Sequence, residues 1–186
     1  MEDVNIFKSK LSDVSLNFTV YKQLFDNSDS VEVMNKFHPF IFGNYQKCLV
    51  DILYLELTKL IDPEGRSGNE NLSFEFLISK VNNKFQSELL SDLSDLGELF
   101  KESNLKIYRN KLIAHNDAKT LRGDKVIELL ITSDKLEIIL NSSWSLLGKI
   151  EYYLGIEDCI YQTSAYIMLP SETCIEEFVE KIKNRI

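Results

Sequence analysis

The stretch "KIYRNKLIAHND", residues 106–117, gathers Arg109, Asn110 and His115, and His115 is one of only two histidines in the chain. Arg stays charged at any relevant pH and offers a planar fork of donors that fits phosphate oxygens. His can give or take a proton near neutral pH, as attack by an RNA 2′-hydroxyl or departure of a leaving oxygen requires. Asn110 could orient either group. With a means of holding the backbone, these parts would suffice to cut RNA without a metal. A structural explanation competes: Arg109 could pair with an acidic neighbour while His115 caps a helix C-terminus, where positive charge is favoured. On a straight helix Arg109 and His115 lie about 120° apart and about 9 Å along the axis. A shared site therefore needs a frayed last turn, the reach of the Arg side chain, or a second copy of the chain.

The surrounding charge points the same way. The chain carries a formal net charge of −8, which opposes generic binding of nucleic acid. Between Lys101 and Lys125, however, Lys101, Lys106, Arg109, Lys111, Lys119, Arg122 and Lys125 outnumber Glu102, Asp117 and Asp124. That net-positive window could hold a polyanion at one place while the rest of the surface repels it. Lys106, Lys111, Lys119 and Arg122 are the expected phosphate-binding residues beside the Arg–His pair. A solvated charged loop would look similar.

Other chemistry is poorly supported. His38, in "NKFHPF", sits among aromatics and reads as a partly buried structural histidine. His115 with Asn116 and Asp117 offers too few ligands for a metal, so no metal and no cofactor are expected. The aromatics of the first two helical stretches read as core and not as a base-stacking platform. Gly-rich phosphate loops, nucleophile elbows and HExxH motifs are absent.

The elements that must position the motif are helical. Val4, Phe7, Leu11, Val14, Leu16, Phe18, Val20, Tyr21 and Phe25 recur at largely helical spacing over residues 3–27. "NSDS" (27–30) interrupts, with Asp29 and Glu32 able to form a capping box. A long apolar helix follows over 31–61, with a kink or break expected near His38 because Pro39 falls inside it. "DPEGRSGNEN" (62–71) is the clearest loop. Ser73 caps a helix over 74–85, and 88–114 forms one helix or two, with Ser103 or Asn104 as a cap between them. Residues 115–132 read as a loop in which "VIELLIT" (126–132) is the one tempting strand. Ser133 caps a helix over 134–154 that ends at Gly155, and Thr173 with Glu176 caps a last helix over 174–185. The expectation is a single all-α domain spanning residues 1–186, an up-and-down helical bundle with additional helices.

Composition agrees. At 186 residues and 44% hydrophobic, the chain can bury a sizeable core, and seven Gly with three Pro favour long helices over short strands. No apolar run approaches the roughly 20 residues that span a bilayer, and the first residues lack the apolar core of a signal peptide. Cys48, Cys159 and Cys174 are odd in number and widely spaced, which fits reduced, mostly buried thiols of a cytoplasmic protein.

"YRNKLIAHND" resembles the signature of the HEPN superfamily, helical bundles carrying Arg, usually a polar residue next, then His a turn or two later. A second stretch, "LYLELTKLIDPEGRSGNENLSFEFLISKV" (53–81), is similar to the abortive-infection, AbiU-type branch: an apolar helix ending in Asp62-Pro63, a polar loop, then Asn71-Leu72-Ser73 opening the next helix. The resemblance covers roughly residues 20–155. It implies a HEPN-like domain, often dimeric, acting as a metal-independent endoribonuclease in phage defence or as a toxin with a cognate antitoxin. Arg109 would hold the scissile phosphate, Asn110 would help orient it, and His115 would act as acid or base. Some members carry a Tyr two residues after the His that a partner enzyme modifies; Asp117 occupies that place, so the resemblance does not extend to silencing by that route. Many HEPN domains bind nucleotide or protein without cutting. A non-catalytic interaction module, or a nucleotide-binding domain using Arg109 and Lys111, therefore remains the alternative.

Overall fold

The computed structural model describes residues 1–66, 69–156, 165–168 and 175–185. The chain is all-α. In order it forms α1 (Glu2–Phe25), α2 (Ser28–Phe37), α3 (Pro39–Lys59), α4 (Phe74–Ser79), α5 (Asn83–Glu102), α6 (Leu105–Tyr108), a π-helical turn (Arg109–Ile113), α7 (Ala118–Leu121), α8 (Ser133–Tyr153) and α9 (Ile175–Lys183).

The first helix follows its apolar spacing: Val4, Phe7, Leu11, Val14 and Phe18 are buried on one face. That face packs on α3 and α8, while α5 packs on α8, enclosing one large core. Phe7 meets Phe74 edge-on with centroids 4.7 Å apart, so α1 and α4 are joined by an aromatic pair. Two buried polar contacts join α1 to α8. The Trp144 indole donates to Ser15 Oγ at 2.9 Å, and Glu151, 2% exposed, accepts from Lys8 Nζ at 2.8 Å.

Several boundaries differ from expectation, each for a local reason. The long helix over 31–61 is broken into α2 and α3, with His38 between them and Pro39 at the first turn of α3, where its missing N–H costs nothing. Asn27 caps α2, accepting from the backbone N–H groups of Asp29 and Ser30, so Asp29 is a first-turn residue and not the cap. Ser73 does cap α4, but that helix ends at Ser79, whose hydroxyl turns back to the Phe76 carbonyl; Asn82 then caps α5. Thr132 caps α8 in place of Ser133, and Gly155 adopts φ 71° just beyond its end. "VIELLIT" forms no strand; it is irregular chain whose Leu129 and Ile131 pack on the core. The loop at 62–71 holds a short antiparallel pair, Gly65–Arg66 against Asn69–Glu70. Thr173, Cys159 and Cys174 lie outside the described residues.

Three expectations about burial are corrected. His38 and Cys48 are exposed. His38 sits in the break between α2 and α3, on the solvent side of the chain. Phe37, Phe40 and Tyr45 are exposed, against the expectation that these aromatics are core, and so is Ile41.

Candidate active site

The motif is placed by a break in the chain that settles whether residues 88–114 form one helix or two. They form two. Asn104 takes the left-handed conformation (φ 59°), which stops α5, and Asn is among the few non-glycine residues that adopt it readily. The turn is held from both sides. Ser103 Oγ donates to the Phe100 carbonyl at 2.8 Å, the Ser103 carbonyl accepts from Leu130 N–H at 3.1 Å, and Asn104 Nδ2 donates to the Glu128 carbonyl at 2.8 Å. The 126–132 segment thus acts as a strap across the break.

Beyond it α6 runs into the π-helical turn, closed by the Ala114 N–H donating to the Arg109 carbonyl at 2.8 Å. Such wide turns occur mostly as single turns and frequently at functional sites. The regular helix ends before His115, so the straight-helix geometry that separated Arg109 from His115 does not apply. Tyr108 anchors this segment edge-on against Tyr54 of α3, centroids 6.0 Å apart. Burial pushes the Tyr54 hydroxyl up to about 12 and also raises that of Tyr108.

Arg109 is the best-fixed member of the motif. Its Nη1 donates to Asp62 Oδ2 at 2.7 Å and its Nε donates to Asn110 Oδ1 at 2.9 Å. Lys106 Nζ stands 3.6 Å from the other oxygen of the same carboxylate. Both ion-pair partners are shielded, with side chains 15% (Arg109) and 22% (Asp62) exposed. Asp62 is set just past α3, its N–H bonded to the Lys59 carbonyl, where Pro63 disfavours further helix. The guanidinium has five N–H donors, of which these contacts take two. The expectation that Arg109 pairs with an acidic residue is correct, and it does so without using up its donors.

The other predicted residues separate into two groups. Lys111 pairs with Asp117 at 2.9 Å, while Lys119, Arg122 and His115 are exposed and their side chains have no hydrogen-bond partner among the described residues. No bond joins the His115 imidazole to Arg109, Asn110 or Asp62 among those residues. Much of the positive window is internally balanced: Lys101 by Glu98, Lys106 and Arg109 by Asp62, Lys111 by Asp117. Among the described residues no cluster of His, Cys, Asp or Glu is placed to hold a metal ion, and no helix is long and apolar enough to cross a membrane.

Asp117 also closes the turn after His115, capping α7 by accepting from the Thr120 N–H at 3.1 Å. The hydrogen bond from Lys111, then those from the Thr120 hydroxyl and N–H, hold its carboxyl down at about 2. A depressed carboxyl stabilises the fold above its unfolded-state value near 4, and that contribution is lost as pH falls towards 2. Thermal melts should show Asp117→Asn less stable than the unsubstituted protein at pH 7, the difference closing as pH falls to about 2. A gap that stays constant across that range would remove the assigned ion pair.

Sequence reasoning missed Asp62 as a site residue. Asp62-Pro63 was visible as part of a family-like stretch, but nothing local connects it to a guanidinium 47 residues away. The comparisons join the two stretches. The chain matches the HEPN_AbiU2 family model, AbiU2, over residues 7–155, which takes in α1 as well as the helices from α2 to α8. No curated protein and no solved structure matches it. Because the match spans most of the chain and covers both Asp62 and the Arg109–His115 turn, the protein belongs to the AbiU2 family of HEPN domains, the abortive-infection type.

Proposed function

We propose that this protein is a metal-independent endoribonuclease acting in phage defence, with Arg109 binding the scissile phosphate and His115 transferring a proton. The observation that carries the reading is the pair of states at one turn. Arg109 is pinned by Asp62 and Asn110 with N–H donors to spare, while His115 lies exposed just past the same turn. A fixed cation and an accessible imidazole are what this chemistry needs. In the reaction the 2′-oxygen bonds to phosphorus as the P–O5′ bond breaks. The 2′ proton goes to a base and the 5′ oxygen receives one. His115 makes one of these transfers; solvent or a second copy of the chain makes the other. Lys119 and Arg122, exposed beside the turn, would track the flanking backbone.

The purified protein is expected to cut RNA in the presence of EDTA and to leave 2′,3′-cyclic phosphate and 5′-hydroxyl ends. Cutting that requires a divalent metal, or 5′-phosphate ends, would overturn the reading.

A homodimer belongs to this proposal. Ile107, on α6, is 48% exposed, and an isologous contact there would set two motifs side by side. Light scattering should give twice the 21.5 kDa chain mass at micromolar concentration; a monomer that still cuts RNA would remove the paired site.

The exposure of Phe37, Phe40, Ile41 and Tyr45 favours a second reading, a non-catalytic module that docks a protein partner such as an antitoxin. A folded protein that cuts no RNA under any condition would favour it.

A further inference from the structure

A groove of about 460 Å³ opens beside Asn110, between α5 and α6. Its volume falls within the roughly 300–1,000 Å³ range of small-molecule sites. The walls are apolar: Ile61, the neighbour of Asp62, with Leu93, Phe100 and Ile107. One wall is cut away at Gly97. A glycine in the middle of a 20-residue helix is unfavourable relative to alanine, and here a Cβ would meet no atom within 4 Å. Nothing within the described chain requires that residue to be small. The missing side chain instead leaves the groove open.

The rim is polar and complementary in kind. Asn110 commits its carbonyl oxygen to Arg109, leaving its amide N–H groups as donors. Asn104 commits an amide N–H to the Glu128 carbonyl, leaving its own oxygen as an acceptor. Lys101 and Lys106 stand at the same edge, each beside a carboxylate, Glu98 and Asp62 respectively. An apolar groove with one amide donor and one amide acceptor, its Asn110 bonded to the Arg109 guanidinium, matches a nucleobase whose phosphate lies towards Arg109.

We infer that this groove is a nucleobase subsite, seating the base next to the phosphate that Arg109 holds and giving the protein a nucleotide preference. The identity of the ligand rests on the RNA-cleaving reading, but the subsite can be tested without cutting. The probes are the four nucleoside 5′-monophosphates and ribose 5-phosphate, titrated calorimetrically. At least one nucleotide should bind more tightly than ribose 5-phosphate. Gly97→Leu should weaken that nucleotide by about tenfold, the scale of one lost base contact, and leave ribose 5-phosphate unchanged. Gly97→Ala should retain binding. The helix should tolerate the leucine, since it projects into open space and is a better helix former than glycine; Gly97→Met replaces it if its melting temperature falls.

Equal binding of nucleotides and ribose 5-phosphate, or equal loss of both in Gly97→Leu, would overturn the subsite. The two readings can fail separately. Base-dependent loss in a protein that never cuts RNA keeps the subsite and ends the nuclease. Cutting with an unchanged nucleotide preference in Gly97→Leu keeps the nuclease and ends the subsite.

Discussion

His115→Ala is expected to lower the rate of RNA cutting by about 10²- to 10⁴-fold, the usual worth of a positioned general acid or base. Its fold should be unaffected. The imidazole is exposed and without a hydrogen-bond partner among the described residues, so its removal opens no cavity and orphans no buried group. Circular dichroism and melting temperature should match those of the unsubstituted protein. That separation makes the variant informative: a large loss of activity at constant stability assigns chemistry to the imidazole. Undiminished cutting by folded His115→Ala would end its proposed role. Growth arrest on expression, if it follows from the same activity, should disappear in parallel.

Asp62→Ala is expected to have the next largest effect, by a different route. Asp62 is a positioning residue: it touches Arg109 and not the proposed substrate. Without it the guanidinium keeps only the Asn110 contact, and a misplacement of about 1 Å at a reacting centre can cost on the order of 10²-fold in rate. Binding should move the opposite way. Lys106 and Arg109 would lose the carboxylate that balances them, leaving a more positive site for a phosphate. The expected signature is therefore a fall in kcat of about 10²-fold with KM unchanged or lower. Asp62→Asn, which keeps an acceptor oxygen for Arg109, should recover part of kcat. A variant that merely melted earlier, with kcat intact below its melting temperature, would reduce Asp62 to a structural ion pair.

How much of this was legible in the sequence follows from the range of each interaction. The core face of α1 could be read directly, because Val4, Phe7, Leu11, Val14 and Phe18 repeat with the helical period and that period is a local property. Pro39 marked an interruption near His38, since its ring removes a helical hydrogen bond and clashes with the preceding turn, and the structure resolves it as a break between α2 and α3. Caps were less certain. Asn27, Asp29, Thr132 and Ser133 can all cap, and the choice depended on which side chain reached the free N–H groups.

Burial could not be read at the break. A stretch carrying Phe37, Phe40 and Tyr45 invites a core assignment, yet around the break between α2 and α3 it is Phe42 that packs inward while those three rings are exposed. Nor does an apolar run state its partner. "VIELLIT" has the composition of a strand, but the acceptor nearest Leu130 is the Ser103 carbonyl at a helix break, so it became a strap.

The sequence by itself determined an all-α chain and a motif that sets Arg109, Asn110 and His115 within seven residues, because helical period and motif spacing are local properties. Only the tertiary structure decided what that motif is attached to. Asp62 reaches Arg109 across 47 residues, the left-handed Asn104 redirects the chain, and Gly97 leaves a groove open beside Asn110. Each depends on where separate helices meet, and no local pattern of residues fixes that meeting.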